Sequence, residues 1–585
     1  MRKSIMIVLC LLLSVTVAVA REIPREKAAA TAAAVFRSGV AVGTKAGSTG
    51  VQPASLRLVK ETPSMYVFEN EGGGFVIASA DDVAVPVLGY SLEGRFPTDD
   101  MPVNMKSLLD WYERVITYAR QQGWEPLSDA TGSRSDADDE KEVVLHTAPW
   151  GQWSPFNDLA PIVDGQKCPS GCVATAQAII MKYHSYPERG TGELPGYDFE
   201  YNGQVYHVDG YALGHTYDWE NMPEGARFRT PYQEAQIAQL LYDIGVMSQM
   251  SYGPDGSGAG SLSPLLLTRY FGYDKSMRYE DRSFYSDAKW EQLIRDEIDA
   301  GRPVFHCGFS PNGGHAFVMD GYKGRYFSIN YGWSGGSAWY LLTPVEGHER
   351  ELTEFNQWQD MVTHIFPDEG NEVYANIMVP DGYFTPFRWN FSEKTIWGGW
   401  MWLWDYSVST VEVDVAFAMF DREDHYKQTL SETVHLIPEE EYLHKMTITL
   451  PDRIEDGDQI LLARLEADSW IPITQTRPFR IQFDRSRKLP QMISVGHSFG
   501  SPGNEASEGD PEIYFDMYKD VWWEIVNVDG LVVADSSMDH NVYSVSYSML
   551  DEDTGLARFE MNLPEGSYKI SFRNFDDTLV FTLKL

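Results

Sequence analysis

From Glu22 to about Ala119 the order of apolar and polar positions changes from an alanine-rich run of helical period to short strand-like runs, Met65–Phe68 and Phe75–Ala78. A helical stretch, Val103–Ala119, closes this part, so the pattern predicts a small α+β unit. Between Gly123 and Glu142 the chain is polar and charged, SDATGSRSDADDEK, without apolar periodicity. That composition predicts an exposed, cleavable linker. From Thr147 to Pro367, helical patterns over Cys172–His184, Tyr232–Val246 and Trp290–Ala300 come early, and strand-like runs over Val304–Cys307, Ala316–Asp320 and Tyr326–Asn330 come late. Segregation of this kind predicts an α+β domain. Beyond Pro367 the period falls to two, with Val411, Val413, Val415, Phe417 and Met419 on one face, and Tyr568, Ile570 and Phe572 repeating the pattern near the end. These read as half-buried strands of β-sandwich type. The turn-forming run Gly500–Pro511 reads as a loop between two such units.

Composition narrows the function classes. The chain has 585 residues, 13% of them aromatic and 43% hydrophobic, enough for several separately cored domains. Its formal charge of −38 offers no footprint for nucleic acid and is repelled by anionic membrane surfaces. At the start, Arg2 and Lys3 precede an apolar run from Ile5 to Val19 and the small-residue site Ala18-Val19-Ala20. This is the pattern of a secretory signal peptide, residues 1–20, and predicts a secreted product. No other stretch approaches the ~20 apolar residues of a spanning helix, so no stable membrane insertion is expected. Outside that segment the cysteines are Cys168, Cys172 and Cys307. Three cysteines make no disulfide framework and leave at least one thiol.

One of these thiols has the setting of a nucleophile. Cys172 follows Gly171 and opens VATAQAIIMKYH, so it is expected in the first turn of a buried helix, where unsatisfied N–H groups and the helix dipole favour thiolate. His315, in NGGHAFVMDGY, is expected at the mouth of a strand, where an imidazole can face a helix-start cysteine and take its proton. Asn330, in FSINYGWSGG, lies on the next strand-like run, and its amide oxygen could accept the imidazole N–H and fix the tautomer. Trp333 could shield that bond from water. Cys307, in an apolar run, is expected to be core packing, whereas Cys168 is close enough in sequence to suggest a disulfide guarding Cys172.

The sequence resembles the streptopain-like cysteine peptidases, a secreted bacterial family of papain-like fold. The resemblance is carried, in order, by Gln152 with Ser154-Pro155-Phe156-Asn157, SGCVATAQAIIMKYHSYPERGTG, SYGPDGSGAG at 251–260, GGHAFVMDGY, NYGWSGG and FNQWQDMVTHIFPD. It implies Cys172 as nucleophile, His315 as general base, Asn330 as orienter and Gln152 as a side-chain donor to the oxyanion beside the Cys172 N–H. It also implies a substrate cleft walled by Ser257, Gly258, Gly313, Gly314 and Trp333, with no metal or other cofactor. Tyr331 stands where the family usually shows tryptophan, which bears on cleft shape. Residues 66–110 resemble the family's inhibitory pro-domain, which implies a zymogen whose own pro-domain is its inhibitor.

The expected organisation is therefore a signal peptide at 1–20, an inhibitory α+β pro-domain at 21–122, a cleavable linker at 123–146, a papain-like catalytic domain at 147–367, and β-sandwich-type domains at 368–488 and 489–585. The last stretch loosely resembles sorting domains of Bacteroidetes secreted proteins, with substrate or surface binding as the competing use. The expected activity is a cysteine endopeptidase acting on polypeptides. Its rivals are an inactive peptidase-fold adhesion protein and a transglutaminase-type acyltransferase.

Overall fold

The computed structural model describes residues 21–38, 55–98, 101, 103–127, 141–225, 230–310, 313–345, 359–379, 388–390, 395–397, 403–421, 423–438, 447–449, 458–475, 479–482, 494–497, 522–527, 532–535, 546–549, 557–560, 567–573 and 578–584. The expected signal peptide and the Gly500–Pro511 loop lie outside the described residues.

In chain order, α1 (Arg25–Ser38) leads into β1 (Arg57–Glu61), β2 (Met65–Glu69), β3 (Phe75–Ser79) and β4 (Val87–Ser91), and then α2 (Val103–Gln121). Next come β5 (Glu142–Val144), β6 (Ile162–Val163), β7 (Gln166–Lys167) and α3 (Cys172–His184). The short strands β8 (Glu193–Leu194), β9 (Tyr197–Tyr201), β10 (Gln204–Val208) and β11 (Tyr211–Ala212) precede α4 (Pro231–Met247) and α5 (Leu267–Phe271). They are followed by β12 (Arg278–Asp281), α6 (Asp287–Asp299), β13 (Val304–Ser310), β14 (Gly313–Lys323), β15 (Tyr326–Asn330), β16 (Ala338–Leu341) and β17 (Gln359–Thr363).

The chain forms two compact units, residues 1–264 with 291–355, and residues 265–290 with 356–585. The stretch 147–367 expected as one domain is thus divided between them.

In the first unit an antiparallel sheet runs in the order β1-β2-β3-β4-β16-β15-β14-β13. Four of these strands precede the linker and four follow it. The join is β4 against β16, with Tyr90 opposite Trp339 and Gly89 opposite Tyr340. Aromatic packing and buried hydrogen bonds fasten the join. Tyr90 stacks on Trp339 and meets Tyr326 edge-on at 5.4 Å. From α2 the Tyr112 hydroxyl donates to Leu88 O at 3.0 Å or Leu341 O at 2.6 Å, and Tyr326 Oη donates to Val87 O at 3.0 Å. A neutral bond of this kind nets about 0.5–1.5 kcal/mol. The backbone adds Val85 N–H to Pro344 O at 3.0 Å.

The expected linker is shorter than its composition suggested. Residues 142–144, in the segment read as unstructured, form β5 and pair with Gly321–Lys323 of β14. Leu145 N–H then donates to Asp320 O at 2.8 Å. A three-residue strand is too short to show a period.

In the second unit, β12 pairs with β17, and Val413–Phe420 pairs with Gln459–Glu466. Val413, Val415, Phe417 and Met419 enter a core with Ile377, Val379, Ile448, Ile460 and Leu462. The half-buried reading fails for this strand, because Ala418 and Phe420 on its other face are buried with Leu461 and Ala463. Trp470 packs against this small cluster. On either side of the boundary expected at 488/489, Phe479–Gln482 pairs with Ser494–His497. Further on, the strands 532–535, 522–527, 567–573 and 578–584 form a sheet in that order.

Gly89 is the tightest point of the β4–β16 join: a Cβ there would lie 2.7 Å from Tyr340 Cδ1 and 2.9 Å from Trp339 O. Gly89→Ala, made in an uncut Cys172→Ala chain, should destabilise this unit by about 1–3 kcal/mol, the usual cost of overpacking. Chemical denaturation measures it, and an unchanged midpoint would mean that the join is looser than its atoms indicate.

Candidate active site

Cys172 is the first residue of α3, and Gly171 before it has φ 87°. A Cβ on Gly171 would lie 2.8 Å from both Met250 Sδ and Ser257 O, so only glycine fits this turn. No side chain caps the helix. Its first N–H groups therefore remain available to the thiol. The backbone N–H groups of Ala316, of Val173 and of Cys172 itself act on the thiol and favour its charged form. Cys172 to Met181 are buried, which fixes the helix, and with it the thiol, in the core.

Ala316 is the residue after His315, so the thiol faces β14 beside the expected base. His315 itself sits opposite Gly308 of β13. Its Nε2 is buried and has no hydrogen-bond partner among the described residues. The pair is close in the fold but not joined by a hydrogen bond.

Burial also sets both protonation states. It pushes the Cys172 thiol up, against the pull of the three N–H groups. It pushes the His315 imidazole down. Both shifts favour the neutral forms of the two groups in the uncut chain.

The other expected site residues divide. Gln152 is buried, and its carbonyl accepts the Ser170 N–H at 2.9 Å, which ties it to the turn carrying Cys172. Asn330 is buried at the end of β15, but its amide is bonded away from His315. Nδ2 donates to Thr147 Oγ1 at 2.9 Å and to Ala148 O at 3.0 Å, while Oδ1 accepts from Gly332 N–H at 3.1 Å. Gly313 and Gly314 open β14 opposite Ser310 and Phe309. Trp333 is half-buried, and its indole N–H has no partner among the described residues. Ser257 is buried and donates to Pro169 O at 2.8 Å, so its hydroxyl braces the nucleophile's turn. Gly258 pairs with Ser251 by two backbone bonds and is exposed.

None of Cys168, Cys172 and Cys307 is in a disulfide, and all three are buried, so the suggested Cys168–Cys172 guard is not formed in this state. Sequence reasoning missed Thr147, Asp320 and the seryl groups around them. An acid inside the apolar run Phe317–Tyr322 was the available signal, because a buried carboxylate needs donors.

Residues 150–340 match the model of the Peptidase C10 family, and residues 20–116 match that of the Spi protease inhibitor. Streptopain of Streptococcus pyogenes is 32% identical over 339 residues, which cover 52% of this chain and 81% of that one. The chain belongs to the peptidase C10 family. A thiol protease/hemagglutinin, PrtT, of Porphyromonas gingivalis is 33% identical over 292 residues, 48% of this chain and only 33% of that longer protein. The structure of a prointerpain A fragment from Prevotella intermedia shares 34% identity, with coverage of 53% and 98% and a TM-score of 0.45. This C10 chain is a cysteine-type peptidase preceded by an inhibitor-like pro-domain.

The neutral pair has a measurable signature. Uncut protein should alkylate slowly at Cys172 at neutral pH, with a rate that climbs only above the ordinary thiol range, whereas cut protein should react fast at neutral pH. A haloacetamide rate–pH profile, followed on the uncut and cut bands separately, checks this. Equal rates at pH 7 would show that the pair is already ionised before cutting.

Proposed function

We propose that this chain is the precursor of a secreted cysteine endopeptidase, with Cys172 as nucleophile, His315 as general base, Asn330 as orienter and Gln152 with the Cys172 N–H as oxyanion donors. The observation that carries the reading is the Cys172 thiol at the start of α3, close enough to β14 for the N–H of the residue next to His315 to act on it. In the cut enzyme the imidazole takes the thiol proton and the thiolate attacks the scissile carbonyl. The oxyanion then accepts from Gln152 and the Cys172 N–H, and the imidazolium protonates the leaving amine. Water, deprotonated by the same imidazole, releases the acyl group from sulfur.

Latency follows from the sheet. Residues 21–122 add β1–β4 to the edge of β16, and in that state His315 is bonded neither to Cys172 nor to Asn330. Cutting lies between Gly123 and Lys141, because β5 from Glu142 onward is paired into the catalytic strands. Export is supported by the pattern of residues 1–20, and no helix among the described residues is long and apolar enough to cross a membrane.

A Cys172→Ala precursor should accumulate uncut, show no peptidase activity, and be converted by a trace of active enzyme. Spontaneous maturation of that variant would remove Cys172 from the mechanism. Gln152→Ala should still label at Cys172 but turn over roughly 10²–10³ times more slowly, the loss usual for one oxyanion donor. Unchanged turnover would assign the oxyanion to another group.

A further inference from the structure

Asp320 lies on β14 five residues beyond His315 and is almost completely buried. Its Oδ1 accepts from Ser328 Oγ at 2.6 Å, and its Oδ2 accepts from Thr147 Oγ1 at 2.6 Å and Ser337 Oγ at 2.7 Å. Burial pushes this carboxyl up from its ordinary value, and the three hydroxyl donors with the nearby Thr147 N–H offset that only in part.

The consequence reaches Asn330. A hydroxyl has one hydrogen, and Thr147 gives it to Asp320. What faces the Thr147 lone pair must therefore donate, and that group is Asn330 Nδ2 at 2.9 Å. The second amide hydrogen goes to Ala148 O at 3.0 Å, and Oδ1 takes the Gly332 N–H at 3.1 Å. A flipped amide would set its oxygen against a carbonyl and against a hydroxyl whose hydrogen is already used. Asn330 is thus held with its oxygen turned away from residues 147–148 and one lone pair left over.

We propose that Thr147 and Asp320 are positioning residues for the peptidase reaction, fixing the Asn330 amide so that Oδ1 receives the His315 imidazole N–H after the precursor is cut. The inference rests on the reading of Asn330 as orienter. It also requires the activating cut to leave Thr147 on the catalytic chain, so that the polar segment ending at β5 delivers a component of the site. The pair is separated by 173 positions in sequence. Neither residue touches the thiol or the substrate carbonyl.

The test uses full-length chains carrying Thr147→Val, Thr147→Ser, Asn330→Ala, and Thr147→Val with Asn330→Ala, each matured and counted by inhibitor titration of Cys172. Valine is nearly isosteric with threonine at this half-buried position, so folded protein is expected. Thr147→Val should lower kcat about tenfold, leave KM within about twofold, and move the alkaline limb of kcat/KM to lower pH, because the imidazolium loses a well-placed acceptor. Thr147→Ser, which keeps the hydroxyl, should restore kcat and the pH profile. In the Asn330→Ala background Thr147→Val should add less than about a twofold loss, since both act through one amide. A wild-type kcat and pH profile in Thr147→Val, equal losses in the valine and serine variants, or full additivity with Asn330→Ala would each overturn the inference. Wild-type kcat in Asn330→Ala would instead remove the reading of Asn330, so the two failures are told apart.

Discussion

An antiparallel strand leaves a row of N–H and C=O groups along any unpaired edge, and β16 is the strand of the catalytic half on which the precursor turns. β4 takes that edge through residues 89 and 90, so the pro-domain strands and the strands bearing His315 and Asn330 belong to one sheet. The aromatic residues at the join follow from this pairing. Tyr90, Tyr112, Tyr326 and Tyr340 lie where two halves meet that must later part, and two of their hydroxyls bond to backbone carbonyls across the join. Carbonyls of that kind bind without requiring any particular partner side chain.

Two strands away, β14 gathers the chemistry. It carries His315, presents the Ala316 N–H to the thiol, and buries Asp320 beneath Asn330. In the uncut state burial makes the thiol harder to ionise and the imidazole harder to protonate. Each shift alone would slow the reaction, and together they favour the neutral pair without blocking the nucleophile by a covalent bond.

How much of this the sequence revealed depended on the range of the determining contacts. α3 from Cys172 to His184 and β15 from Tyr326 to Asn330 match their sequence reading residue for residue, because an apolar period bounded by glycine or a turn is local information. The order of six motif blocks carried the family, and α3, which opens with Cys172, packs against β14, which carries His315. β5 escaped notice because its three residues follow a charged run, and its partner lies far along the chain. Thr147, Ser328 and Ser337 look like any polar residues until Asp320 collects them. The bond of the Ser257 hydroxyl to Pro169 O was equally hidden, because its partner lies 88 positions away. The two-sided burial of Val413–Phe420 was hidden by alanine, which suits a core and a surface equally well.

In the uncut chain His315 is half-buried, its Nε2 is unbonded, and burial holds its imidazole below the ordinary value. Selective isotope labelling of histidine in a Cys172→Ser precursor, with the His315 resonance assigned by His315→Gln, gives its titration curve by NMR before and after cutting in trans. The account predicts titration below the ordinary value of 6.5 in the uncut chain and a rise on cutting, as burial is relieved and the Asn330 amide becomes an acceptor. The same titration midpoint in both forms would contradict it.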